Sequence, residues 1–432
     1  MKTRKIRLKR NLRLVISCAA LLIVSAGCAR QTSQESSATP TSLPTADAGQ
    51  LVRVSSEDVD AAEPAVASGP DSEIYVAWVE HRPSKQADVM LARFDGEGRR
   101  QGAAVRVNTE AGTATAWRGD PPTVVVAPDG TIYVGWTARV ELPPGHASDL
   151  YLSASHDGGQ TFAGVVKVND DSRPAAHGMH SLAVAPDGSI YLAWLDERNI
   201  NSPQPSEQAG GHHTESNREV FMTFSQDGGR TFAPNQRVAS DACPCCKTAL
   251  AVGADNRLYV SWRQVLPGDF RHIAVASTAG GGRTFSEPVI VSDDRWQIAG
   301  CPVSGPALAS GSDGALRVLW YSEGGAGESG LYWSESRDGG RSFAPRRLFS
   351  SGQAYGTPAV LEASDHLIAA WGAGGGGSSR LRTAQFDRAG RVTLNTMAPD
   401  GELPSAAFAG GRLFVTYTFK SGERRGVWLA RT

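Results

Sequence analysis

Beyond its first 27 residues this chain has no long uninterrupted apolar run, so nothing in residues 28–432 predicts a helical membrane span. Helical periodicity is almost absent from residue 51 onward, which excludes a helical bundle or an alternating α/β fold. There is no surplus of positive charge: 43 Lys and Arg face 44 Asp and Glu. Residues 1–27 hold seven of those bases and no acid. Without that segment the balance is 36 against 44, a net charge of −8. A chain so charged lacks the basic footprint of a nucleic-acid binder. Cysteine is scarce, with six in 432 residues, and no spacing among them matches a standard zinc motif.

What is present begins with a basic stretch, Lys2 to Arg13, followed by the apolar run Leu14–Gly27 and then Cys28. That order predicts a secretory signal over 1–27, too short to span a membrane comfortably. Val24-Ser25-Ala26-Gly27-Cys28 resembles a lipoprotein processing site, which would make Cys28 the lipidated first residue of an exported, envelope-anchored protein. A lipid anchor is the only membrane contact expected. Residues 28–50 are rich in Ser, Thr, Pro, Ala and Gln and predict a flexible tether. The folded domain is expected over 51–432, as a monomer.

From residue 51 the chain repeats. A β-rich run ending in an aromatic recurs seven times, at Trp78, Trp136, Trp194, Trp262, Trp320, Trp371 and Tyr417. Turn chemistry such as Pro128-Asp129-Gly130 precedes most copies. Four short strands every 45–70 residues predict an all-β propeller of four-stranded blades. Seven blades are expected, with six plus an added hairpin as the runner-up. The seventh unit ends after three strands, so Leu51-Val52-Arg53-Val54 is expected to supply its fourth and close the ring.

A second motif is superimposed on the first. Ser155-His156-Asp157-Gly158-Gly159-Gln160-Thr161-Phe162 recurs as Ser225-Gln226-Asp227-Gly228-Gly229-Arg230-Thr231-Phe232 and as Ser336-Arg337-Asp338-Gly339-Gly340-Arg341-Ser342-Phe343. A degenerate copy runs from Thr278 to Phe285. The glycines suit positive φ, the Asp and hydroxyls can bond the turn's own backbone, and the Phe can pin the hairpin to the core. These segments resemble the Asp box of sialidases and related propellers. In that reading Asp157, Asp227 and Asp338 are structural.

The resemblance implies a glycan-processing or glycan-binding protein; if enzymatic, a glycoside hydrolase of exo-α-sialidase type that needs no cofactor. Such enzymes grip a sugar carboxylate with three arginines and use an Asp as acid/base and a Tyr–Glu pair as nucleophile. The positions nominated are Arg118, Arg198 and Arg263, then Asp120, then Tyr321 with Glu197 or Glu323. The Phe-Arg-Ile-Pro segment that carries the family's first arginine is absent.

A second class of function rests on the loops of the opposite face. Cys243, Cys245 and Cys246 fall between units three and four and Cys301 between units four and five, with His177, His180 and His212 on the same face. Exported cysteines suggest disulfides, and one bridge from the Cys243–Cys246 group to Cys301 would join adjacent loops. The same residues offer soft ligands for copper or zinc. On that alternative reading the protein is a non-catalytic scaffold or a metal-associated binding propeller.

Overall fold

The computed structural model describes residues 51–432 except 116–118, 141–146, 201–215, 279–280, 299, 301, 325–328, 364–365, 376–377, 388–391 and 399. The described residues are all-β in antiparallel sheets, with one 3-10 turn and no helix long and apolar enough to cross a membrane. Cys28, Arg118, His212 and Cys301 lie outside them.

After β1 (Leu51–Arg53) come β2 (Asp60–Ser68), β3 (Ile74–His81), β4 (Ala87–Phe94) and β5 (Val105–Arg106), which form one sheet. The next comprises β6 (Thr123–Val126), β7 (Ile132–Val140), β8 (Ala147–Ser155) and β9 (Ala163–Lys167). Then follow β10 (His177–Val184), β11 (Ile190–Asp196), β12 (Arg218–Ser225) and β13 (Gln236–Ala242), and β14 (Ala249–Val252), β15 (Leu258–Leu266), β16 (Phe270–Thr278) and β17 (Val289–Ile290). These two sets are joined as one eight-stranded sheet by a single pairing, Ala242 with Gln264. Separate sheets are formed by β18 (Ala307–Ser310), β19 (Leu316–Ser322), β20 (Gly330–Ser336) and β21 (Arg347–Ser351), and by β22 (Ala354–Ala363), β23 (His366–Gly375), β24 (Ser378–Asp387) and β25 (Val392–Ala398). The last sheet is β26 (Glu402–Ala409), β27 (Arg412–Ser421), β28 (Arg424–Arg431) and β1, with Val52 paired to Leu429.

The first strands of consecutive sets pack side by side: β2 with β6, then β10, β14, β18, β22 and β26, and β26 again with β2. Hydrophobic clusters fill the spaces between neighbouring sheets. Trp78, Trp194, Trp262, Trp320 and Trp371 are fully buried there, as their place in the β-rich runs predicts. One cluster unites Val54, Trp78, Phe414 and Leu429, from both ends of the chain. A charged network reinforces it. Arg425 donates to both Asp60 oxygens at 3.0 Å and to Glu63 at 3.1 Å, and Glu63 also meets His81.

The repeated Ser-x-Asp-Gly-Gly turns form as their chemistry dictates. Ser225 Oγ donates to Asp227 at 2.8 Å and accepts from the Gly229 amide at 2.9 Å. Asp227 Oδ1 accepts from the Arg230 and Thr231 amides, and Thr231 Oγ1 donates to Oδ2 at 2.6 Å. Gly228 and Gly229 sit at φ of 78° and 81°, a conformation costly for a residue with Cβ. Phe232 packs on a cluster that holds Tyr133 of the preceding sheet and Trp194 of its own. Each turn thereby fastens one sheet to the one before it.

Candidate functional site

The opposite ends of the strands carry the candidate residues. Near its start, each of β2, β10, β22 and β26 has a break in register. A left-handed residue occupies the break: Glu63 (φ 54°), Met179 (φ 54°), Gly356 (φ 71°) and Leu403 (φ 51°). Bulges of this kind bend a strand and re-aim side chains, and they store strain of roughly 1–3 kcal/mol at a non-glycine residue. Prolines follow closely, as Pro64, Pro358 and Pro404, where a missing N–H costs no ladder bond. With Pro121 and Pro306 they wall a channel of about 300 Å³ between the first strands. Cys245 and Lys247 reach the same wall.

Lys247 is half-buried, and its Nζ donates to the Pro121 carbonyl at 3.2 Å. Its ammonium pKa is pushed down to about 8 by burial, against the pull of Asp120. Asp120 is buried. It accepts from the Met179 amide at 3.0 Å and from Thr137 Oγ1 at 3.1 Å, and it lies 3.5 Å from His180 Nδ1. Burial works against the Asp120 charge, but the hydrogen bond and charge of His180 outweigh it and hold the carboxyl below its usual range. Burial lowers His180 itself.

The cysteine group is built where two strand sets meet. The Ala242–Gln264 pairing ends β13, and the Cys243 amide then donates to the Arg263 carbonyl at 2.8 Å. The Cys246 amide turns back to the Cys243 carbonyl. All three sulfurs lie within 4.8 Å of one another. Cys245 is disulfide-bonded, whereas Cys243 and Cys246 are free thiols with Sγ atoms 3.2 Å apart. The Cys246 hydrogen bond brings the Cys243 thiol down to about 7, opposed by burial and helped by the Arg263 charge; burial pushes Cys246 well up. The approach of the loop before β18 is close: a Cβ on Gly305 would stand 2.1 Å from the Lys247 carbonyl oxygen.

Arg263 is fully buried beside these thiols. Its Nε donates to the Ser304 carbonyl at 2.9 Å and its Nη2 to the Tyr321 carbonyl at 2.8 Å. Its guanidinium lies 4.9 Å over the Trp296 ring, and Tyr321 meets that ring edge-on at 5.6 Å. Nη1 finds no hydrogen-bond partner among the described residues. The Tyr321 hydroxyl donates to Glu323, and burial first, then that carboxylate, raises the phenol's pKa rather than lowering it.

Arg198 stands in a different group. Its Nε donates to both Asp196 oxygens, Nη1 to Asp170 at 2.6 Å and Nη2 to Asn235 at 2.9 Å. His177 Nε2 lies 3.1 Å from Asp171 and 3.4 Å from Asp196, and its Nδ1 faces the Ser148 carbonyl. Burial opposes a charged His177, yet the Asp171 bond and the two carboxylates raise its pKa overall. Both His177 and His180 fall in β10 rather than in the loop before it. The geometry therefore unites Arg263 with Tyr321, pairs Asp120 with His180, and puts Arg198 with His177. Sequence reasoning missed Lys247, although it directly follows the Cys-Pro-Cys-Cys run, and missed Ser304 and the network of Glu63 with Arg425.

No family profile and no curated protein matches the chain. Solved structures do. One is a protein of unknown function from Dyadobacter fermentans, with 13% identity and a TM-score of 0.54, covering 90% of this chain and 99% of that one. A Hadza microbial sialidase shares 15% identity at a TM-score of 0.50, over 83% and 76% of the two chains. A polysaccharide lyase, an ulvan lyase, shares 13% identity at 0.54, over 88% and 95%. The chain has the fold of sialidase-like β-propellers. Identities this low carry fold and no activity.

Proposed function

We propose that this protein is an exported propeller of seven blades, anchored through lipidated Cys28, that binds glycans at the channel face without sialidase-type hydrolysis. Seven four-stranded sets, the contact of β26 with β2 and the pairing of β1 with β28 support the blade count and the closure. The fold shared with a sialidase and an ulvan lyase supports a glycan as ligand, by analogy of fold.

One observation carries the non-hydrolytic reading: the described arginines nominated for a carboxylate grip are already committed to protein partners. Arg198 is surrounded by Asp196, Asp170 and Asn235. Arg263 is fully buried and bonded to two backbone carbonyls. Freeing either would strand buried acceptors, at about 1–3 kcal/mol each. Among the described residues, Lys247 is the cationic side chain that borders the channel, so an acidic sugar is the expected ligand.

The test combines a fluorogenic aryl sialoside with a glycan-binding screen. We expect no turnover, and binding of acidic glycans that Lys247→Met weakens at least tenfold. Turnover abolished by Tyr321→Phe would establish hydrolysis instead. Binding unchanged in Lys247→Met would remove the channel from the reading.

A further inference from the structure

We infer that Cys243 and Cys246 form a site for one monovalent soft cation, Cu(I), held as a bis-thiolate with Arg263 as its fixed counter-charge. The proposal goes beyond the glycan reading and does not depend on it.

The donors come first. Two free thiols stand 3.2 Å apart, held by the Cys243–Cys246 turn and by the Cys243 amide on the Arg263 carbonyl. Their exposures are 0% and 1%. No protein thiol can reach sulfurs so buried, so disulfide exchange with a macromolecule is excluded. A bare ion is small enough, and Cys245, within 4.8 Å of both sulfurs, borders the channel and marks its path. Thiolate is the ligand class that selects Cu(I) and zinc over hard cations.

Charge decides between those two. Binding releases two protons: two thiols and one Cu(I) give a bis-thiolate complex of charge −1. Arg263 takes the Cys243 amide on its carbonyl, its charge acts on both sulfurs, and it is buried with Nη1 unpartnered among the described residues. Its +1 charge brings the site to neutrality, which a buried site requires. Zn(II) with the same two thiolates would leave the guanidinium uncompensated. Zinc also asks for four ligands in a tetrahedron. The third sulfur is in a disulfide, and His177 and His180 face carboxylates.

The experiment uses the exported chain with the Cys245 disulfide intact and Cys243 and Cys246 in the thiol form, kept under argon. Cu(I) is offered as its complex with bathocuproine disulfonate, and loss of the chelator's colour is read. One equivalent should transfer per chain, with X-ray absorption showing sulfur ligands alone. Cys243→Ser/Cys246→Ser should take none while keeping the circular dichroism of the parent. Arg263→Met should weaken uptake at least tenfold, whereas Zn(II) at equal concentration should not displace the copper. Uptake retained in the double variant would overturn the site. So would no uptake by a parent chain whose two thiols are shown reactive after denaturation.

Discussion

The two ends of the strands differ in kind. At one end the same turn is built three times: the Ser-to-Asp hydrogen bond is 2.8 Å at Asp157, Asp227 and Asp338. The bond from Thr161, Thr231 or Ser342 to the same Asp is 2.6, 2.6 and 2.5 Å. At the other end the described groups differ from one another: a buried thiol pair between β13 and β14, an Asp120–His180 pair, and an Arg198–Asp196 pair that also borders His177. Repetition along one face reports what those three turns need in order to form. Features that occur once have no such explanation, and those are the ones to test for chemistry.

The comparison breaks most visibly at its two glycine types. Gly305→Ala would drive a Cβ into the Lys247 backbone at 2.1 Å, where no side chain can move aside. We expect a loss of about 3 kcal/mol or more in denaturant unfolding, with Cys243 and Cys246 becoming reactive to a thiol reagent. Unchanged stability would mean that the loop before β18 does not brace the cysteine turn. Gly229→Ala should cost less, about 1–3 kcal/mol, because its φ is 81° and Leu152 lies 2.9 Å from the new methyl. Gly158→Ala meets nothing within 4 Å and bears only the backbone cost, so it should lie below Gly229→Ala. Thiol reactivity should stay at the parent level in both, which separates the two faces.

The fold was legible because its signals are local and repeated. Trp194 and Trp262 end similarly patterned runs, and both are fully buried between sheets. Leu51–Arg53 could be assigned to the last sheet because that sheet lacked one strand, and it pairs with β28 as expected. The site was less legible because it depends on long-range neighbours. Nothing near Arg198 in sequence says that Asp170 and Asn235 will take up its guanidinium. Arg263 reads as a loop-mouth arginine beside Trp262, yet Ser304 and Tyr321, from later elements, bury it. Cys243, Cys245 and Cys246 lie together, but spacing alone does not say that Cys243 and Cys246 remain free thiols.

The smallest effect expected is also the one that isolates the repeated face. Hydrogen bonds from Thr161 and Ser342 hold the Asp157 and Asp338 carboxyls below the usual carboxylate range, and the bond from Thr231 brings Asp227 to about 2. Each is depressed relative to the unfolded chain, where Asp titrates near 3.9. The unfolded state therefore binds protons first as the solution is acidified. The stabilisation is whole above about pH 4–5 and is lost as pH falls toward the folded-state values. These carboxyls are exposed, so solvent screens each one and the contribution per turn is small. Asp157→Asn/Asp227→Asn/Asp338→Asn should melt below the parent at pH 7, and the gap should shrink steadily between pH 5 and pH 2.5. Two parallel melting curves would mean that the charge of these carboxylates plays no part, leaving the turns to be held by glycine conformation, neutral hydrogen bonds and the half-buried Phe.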